Sequence, residues 1–286
     1  MNEREWLAQR FEANRAHLHA IAYRMLGSLS DADDAVQEAW LRLGRADASA
    51  IENLGGWLTT VVSRLCLDML RSRALRQESA DEGRNASSKD ALEQEAILAD
   101  SVGLALLVVL DRLAPAERVA FVLHDLFDLP FEEIAPIVDR TPIATRQLAS
   151  RARRRVKAEP AVPHSDFVRQ REVVDAFLAA ARSGDIDGLL AVLDPDIVLR
   201  SDPVAVPNAS QREIRSAATI AKRAAKAGAR AARAALVDGA VGLVIAPRGR
   251  LHLVLRFTIE GGRVVAMEAI GEPERLAALE LALLPA

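Results

Sequence analysis

The chain has 286 residues, half of them hydrophobic, and a net charge of -3, which is enough material for two or three domains with cores of their own. So small a net charge means that any contact with nucleic acid rests on local basic patches. The one cysteine, Cys66, excludes an internal disulfide and suits a reducing compartment. The start, MNEREWLAQRFEANR, lacks the apolar core of a signal peptide. The longest apolar run, Val102 to Leu110, is far short of the roughly 20 residues a membrane helix needs. The expectation is a soluble cytoplasmic protein with no membrane contact. The five histidines are scattered without ligand spacing, so neither a metal nor a cofactor is expected.

Helical periodicity runs through residues 3–26 by way of Leu7, Phe11, Leu18, Ile21, Met25 and Leu26, and Gly27 ends it. Ser30 then caps a second helix, with Asp33 in the reciprocal capping position. That helix buries Val36, Ala39, Trp40 and Leu43, and its other side carries Asp31, Asp34, Gln37 and Glu38. Acids early in a helix also serve simply as partners for the macrodipole. A third helix, Leu54 to about Arg73, packs through Trp57, Leu58, Val61, Val62, Leu65 and Leu70. It exposes Thr59, Thr60, Ser63, Arg64, Arg71 and Arg73. Cations, hydroxyls and one Trp are the materials of a single-stranded DNA surface, although Trp57 suits a core equally well.

Residues 76–95 are polar and poor in large apolar side chains, the composition of a flexible tether. Helical periodicity resumes near Leu92 and runs to Leu113, and Pro115 opens a further helix. Residues 127–157 then read as helix, tight turn, helix. Pro130 opens the first helix, and Pro136 falls inside it, implying a bend or a very short helix. The second helix starts at the N-cap Thr141, with Pro142 at its first position. Ala144, Leu148, Ala152 and Val156 make an apolar stripe, opposite Arg146, Ser150, Arg153 and Arg154, with Ile143 and Gln147 at the flanks. Five Arg, one Lys and no acid from Thr141 to Lys157 fit a major-groove recognition helix: Arg bonds guanine, Gln bonds adenine, and the remaining cations hold phosphates. His124, beside Phe121, reads as packed.

The motifs DADDAVQEAWLRL, GGWLTTVVSRLCLDMLRSR and FEEIAPIVDRTPIATRQLASRARRRV resemble, in order and spacing, regions 2 and 4 of the extracytoplasmic-function (ECF) sigma factors. The resemblance implies two all-α modules: a region 2 helical bundle over 1–75 and a region 4 helix-turn-helix over 96–157. It implies core RNA polymerase as partner, with Asp31, Asp33, Asp34, Gln37 and Glu38 docking on the β′ clamp helices and region 4 meeting the β flap. It implies promoter DNA as the second partner. Asn53, Trp57, Thr60, Arg64, Arg71 and Arg73 would open and read the minus-ten element. Thr141, Pro142, Arg146, Gln147, Ser150, Arg151, Arg153 and Arg154 would read the minus-thirty-five element. The tether would run through the polymerase channels.

A minimal sigma factor of this kind would stop near Lys157. Here a Pro-containing linker, 158–166, leads into a further domain over 167–286. An amphipathic helix over 166–183 and a short one over 183–193 precede a strand at 196–202. Residues 211–233 are Ala-rich and strongly basic and read as helical for much of their length, with a solvated face favoured over a DNA-binding one. Strands at 240–246 and 251–259 and a Gly261-Gly262 hairpin into VVAMEAI follow. This order resembles the SnoaL-like (NTF2-like) cone, an α+β fold, and the whole arrangement resembles the ECF41 or SigJ-type group. The DGGGK run of that group is absent. Ser201-Asp202-Pro203-Val204 stands there, and GEPERL at 271–276 resembles a diverged NPDKL motif.

Cones of this class host enzymes as well as inert pockets. Asp196, Asp202, His252, Arg256 and Glu268 are the polar candidates, and no tyrosine follows Tyr23 to act as an oxyanion donor. The expectation is therefore no catalysis and a domain that modulates transcription in cis. Two alternatives stay open: a one-component regulator whose cone senses a small-molecule ligand, and an enzyme that uses its N-terminal part for targeting. A separate anti-sigma protein is a further open partner.

Overall fold

The computed structural model describes residues 3–46, 51–79, 103–208, 211–227 and 229–285. The chain divides into two compact units, one of residues 1–98 with 110–154 and one of 99–109 with 155–286. Expectations for the tether beyond Ser79 and for helical periodicity before Gly103 lie outside the described residues.

The first unit begins with α1 (Glu3–Leu26), α2 (Leu29–Leu43) and α3 (Leu54–Ser79). α1 stops where Gly27 adopts a left-handed φ of 69°, a conformation that costs glycine little. The cap of α2 differs from expectation. Ser28, not Ser30, accepts the N–H of Asp31, because α2 starts two residues earlier and so places Asp31 in its first turn. Leu18, Ile21, Met25, Val36, Ala39, Leu43, Leu58 and Val62 are buried and form the core of the three-helix module. α3 runs past Arg73 to Ser79.

α3 also buries Thr59 and Ser63, which helical periodicity assigns to solvent. The reason is tertiary: a second helical module packs on that face. It comprises the end of α4 (Leu104–Asp111), α5 (Pro115–Phe121), a π-helical turn (Val122–Leu126), α6 (Phe131–Val138) and α7 (Pro142–Val156). Pro115 stands at the start of α5 as expected. His124 is indeed packed, with Nδ1 2.9 Å from the Leu129 carbonyl and its ring against Phe131. Pro136 is tolerated because α6 has only eight residues, so its missing N–H breaks a single late bond. Asp139 in the left-handed region, φ 55°, closes α6 and sets the turn into α7.

The second unit holds α8 (His164–Ser183) and α9 (Ile186–Val192), then a seven-stranded sheet with α10 (Ala217–Ala227) and α11 (Pro273–Ala278). Its strands are β1 (Leu193–Ser201), β2 (Glu213–Ile214), β3 (Ala232–Val237), β4 (Ala240–Ile245), β5 (Leu253–Glu260), β6 (Arg263–Ile270) and β7 (Leu281–Ala282), in the order β2-β1-β6-β5-β4-β3-β7. β3 to β6 form the antiparallel meander, and β1 lies parallel to β6. The expected helix over 211–233 is corrected: only 217–227 is helical, and 232–237 is a strand. Alanine favours helix intrinsically, but Ala232, Ala235, Leu236 and Val237 are buried in the sheet, and tertiary burial overrides the propensity. Phe177 of α8 meets Phe257 of β5 edge-on at 5.4 Å, and Val174, Leu189, Ile197, Ile220, Leu243 and Val264 fill the interior between helices and sheet. Helices held in the curve of an antiparallel meander make the NTF2-like cone.

Candidate nucleic-acid interface

α7 is built to present one face. Thr141 caps it through Oγ1, which accepts the Ala144 N–H at 3.2 Å, a bond worth about 1 kcal/mol. The buried stripe is Thr145, Ala149, Ala152 and Val156. It is rotated from the expected one, with Ala144 and Leu148 only half-buried. Thr145 can enter because its hydroxyl donates to the Thr141 carbonyl at 2.9 Å, which satisfies it without water. The rotation leaves Ile143, Arg146, Gln147, Ser150 and Arg154 exposed, at spacings that place them along one side of the helix.

Two of the expected reading residues are held elsewhere. Arg151 Nε donates to Glu117 at 2.8 Å, and Arg153 Nε donates to Asp125. Both acids belong to the helices that support α7, so these cations fix its angle. Arg146 lies over the Phe131 ring at 5.3 Å, a cation–π contact that orients an exposed guanidinium without consuming its N–H groups.

On the first module, Asn53 caps α3: its Oδ1 accepts the Gly56 N–H at 3.0 Å. Asn53, Trp57, Thr60, Arg64 and Arg71 follow one side of the helix at spacings of four, three, four and seven. Arg73, nine residues after Arg64, falls on the opposite side. There it donates to the Leu26 carbonyl at 3.0 Å and pairs with Asp31. Arg73 and Asp31, expected in the minus-ten and docking sets, are thus paired with each other. The pair ties α3 to the start of α2. Of the remaining docking residues, Asp33, Asp34 and Gln37 are exposed, and Glu38 is half-buried and bonded to Arg42 at 2.9 Å. Arg64 is exposed at its rim, yet its Nη2 donates to the Pro136 carbonyl of α6 at 3.0 Å.

One charged residue escaped sequence reasoning altogether. Arg118 of α5 is 2% exposed. Its Nη1 donates to Asp111 at 3.0 Å, while its Nε is buried without a partner. Burial pulls its pKa down, and Asp111 opposes that. In PAERVAF nothing distinguishes it from an ordinary surface arginine. Cys66, buried nearby, has its thiol pushed up to about 12 by burial, against the pull of Arg118 and Arg73. It is an inert packing group.

In the second unit, Asp202 joins the two motif remnants. Its Oδ1 accepts the N–H groups of Val204 and Ala205, and its Oδ2 accepts those of Gly271 and Glu272, all at 2.7–3.1 Å. Burial raises its pKa, but the four backbone donors outweigh that and hold the carboxyl below the ordinary aspartate value. At Gly271 an added Cβ would come within 2.9 Å of the Ala205 nitrogen, so the close approach requires glycine. Asp202 is thus a structural clip. The other polar candidates do not converge: Asp196 and His252 are exposed. Arg256 lies on the face of β5 opposite Phe257 and pairs with Asp238 and Glu268 at 3.7 and 3.8 Å. The basic residues around α10 are partly engaged, Arg215 with Glu213 and Arg223 with Gln211. Among the described residues no cluster of His, Cys, Asp or Glu could hold a metal, and no helix is long and apolar enough to cross a membrane.

Residues 10–76 match the Sigma-70 region 2 family and residues 103–156 the Sigma-70 region 4 family. The chain is 38% identical to the ECF RNA polymerase sigma factor SigJ of Mycobacterium tuberculosis, covering 93% of this chain and 91% of that one. It belongs to the ECF RNA polymerase sigma factors. This sigma factor is also 41% identical to the probable ECF sigma factor SigI of M. tuberculosis, over 69% of this chain and 70% of that one. The crystal structure of M. tuberculosis SigJ aligns with 94% of this sigma factor and 98% of that chain at 34% identity, with a TM-score of 0.47. As a transcription initiation factor of this family, the chain carries the helical regions 2 and 4 and adds an NTF2-like domain.

Proposed function

We propose that this sigma factor reads a two-part promoter with residue sets narrower than the resemblance implies. The minus-thirty-five element is read by Arg146, Gln147, Ser150 and Arg154 of α7, with Thr141 and Pro142 fixing the helix start and Arg151 and Arg153 setting its angle. The minus-ten element is opened and read by Asn53, Trp57, Thr60, Arg64 and Arg71. Asp33, Asp34, Gln37 and Glu38 dock on the β′ clamp helices, and the second helical module meets the β flap. The NTF2-like domain changes transcription strength in cis and performs no bond chemistry. The single observation that carries the reading is the exposed side of α7, where two arginines, a glutamine and a serine are backed by a fully buried stripe. Such a face offers guanine and adenine partners to a major groove while the helix itself stays anchored.

In-vitro transcription with purified core polymerase tests this. Full-length protein should confer start-site selectivity. A chain lacking 160–286 should keep the same promoters and change their output. Specific duplex binding that needs no polymerase would favour a ligand-sensing one-component regulator instead.

A further inference from the structure

Ile143 is the most exposed large apolar side chain among the described residues, at 71%. It stands in the first turn of α7, directly after the cap Thr141 and Pro142. At about 100° per residue, Arg146, Gln147, Ser150 and Arg154 all lie within about 60° of it around the helix axis, and all four are exposed. The buried Ala152, nine residues on, falls on the opposite side. Ile143 is thus at the centre of the exposed stripe, and it is the one member that can neither donate nor accept a hydrogen bond.

A single exposed apolar residue is ordinary on a protein surface. The place of this one is not. The first turn of a helix favours acids, because its free N–H groups carry the positive end of the macrodipole. α7 has none there, and none follows as far as Lys157. An acid would serve the isolated helix but would repel phosphates at the edge of a groove. Ile is a weaker helix former than the straight-chain polar residues, so local stability does not select it. Branching at Cβ restricts its χ1, so little side-chain freedom is lost when it meets a surface. In a helix-turn-helix, the first residues of the second helix reach the base edges. One feature of those edges in the major groove is apolar, the C5-methyl group of thymine.

Resting on the minus-thirty-five reading above, we propose that Ile143 is a specificity-determining residue whose side chain packs on the C5-methyl group of one thymine in that element. The rise from Ile143 to Arg146 is about 4.5 Å, against about 3.4 Å per base pair, so the thymine lies within two base pairs of the guanine that Arg146 bonds. Arg146 and Gln147 then select by hydrogen bonds, while Ile143 selects one A·T pair by its methyl group alone.

Initiation by the full-length protein with purified core polymerase, on templates randomised across the minus-thirty-five element, tests this. Wild type should enrich thymine at one position. Replacing that thymine by deoxyuridine, which lacks only the methyl group, should lower initiation about fourfold, the worth of one buried group of that size. Ile143→Ala should lose the enrichment at that position alone and respond equally to thymine and deoxyuridine. Ile143→Val, which keeps the branch at Cβ, should retain part of the preference. The position is exposed, so neither variant should alter the fold, and unchanged circular dichroism checks that. If Ile143→Ala enriches the same thymine as wild type, or loses output uniformly over all sequences, the assignment is overturned. Arg146→Ala on the same templates separates the two readings. If it changes the preference at one position and Ile143→Ala changes none, the role of Ile143 alone fails. If neither changes any position, α7 does not read the element.

Discussion

The two faces proposed to read DNA in this sigma factor are made of similar residues and are presented in different ways. The α7 face is open: Arg146, Gln147, Ser150 and Arg154 meet solvent, while the arginines beside them are spent on Glu117 and Asp125. On α3 the face is partly engaged: Asn53 and Arg71 meet solvent, the exposed Arg64 is bonded to α6, and Thr59 and Ser63 beside it lie under the second module. An arginine on an amphipathic helix is thus either a reader or a strut, and the deciding factor is whether an acid or an orphaned carbonyl lies within reach.

The largest expected effect tests the buried cation of the first unit, Arg118. Arg118→Ala should destabilise the first unit by about 2–4 kcal/mol, the range for emptying a buried large side chain. Arg118→Met should fall within about 1 kcal/mol of wild type, since a well-packed apolar replacement for a buried ion pair is often neutral. Asp111, half-exposed, tolerates the loss of its partner. All three tryptophans, Trp6, Trp40 and Trp57, lie in this unit, so urea melts followed by their fluorescence read it directly. Equal losses for the two variants would mean that charge, not volume, matters there.

A comparable effect in the other unit serves as the control. Asp202→Asn should cost about 2–3 kcal/mol, because one amide cannot accept from four N–H groups and its own NH2 faces donors. The wild-type carboxyl is held below its unfolded value of about 3.9. Its stabilisation is therefore complete at neutral pH and is lost as pH falls below about 4, through the lower folded value. Thermal melts of wild type and variant should converge in that acid range, while the distance between the sigma modules stays unchanged at neutral pH.

The smallest effect separates the two faces directly. Arg146→Ala should cost about 1–3 kcal/mol at one promoter base, seen as relaxed selectivity at that position. Arg64→Ala removes a contact proposed for the minus-ten element together with its bond to the Pro136 carbonyl, and should lower initiation with purified polymerase without altering selectivity at the minus-thirty-five element. Unchanged initiation would take Arg64 out of the proposed minus-ten set.

The sequence by itself determined the order of the modules, the ends of most helices and the reading helix. Those features rest on local chemistry: Gly27 and Pro115 as boundaries, Thr141 with Pro142 as a helix start, and the hydrophobic spacing of α1 to α3. Periodicity also located the meander strands β4 to β6, where alternation is strong. It missed β3, because alanine carries no strand signal until neighbouring strands bury it. Only the tertiary structure decided which charges were already spent. Arg73 with Asp31, Arg64 with Pro136, the buried Arg118 with Asp111 and Asp202 with Gly271 all depend on partners 7 to 72 residues away. A guanidinium or carboxylate reports nothing in sequence about which distant dipole will reach it. Folding brings those dipoles into range, and desolvation then makes each pairing consequential.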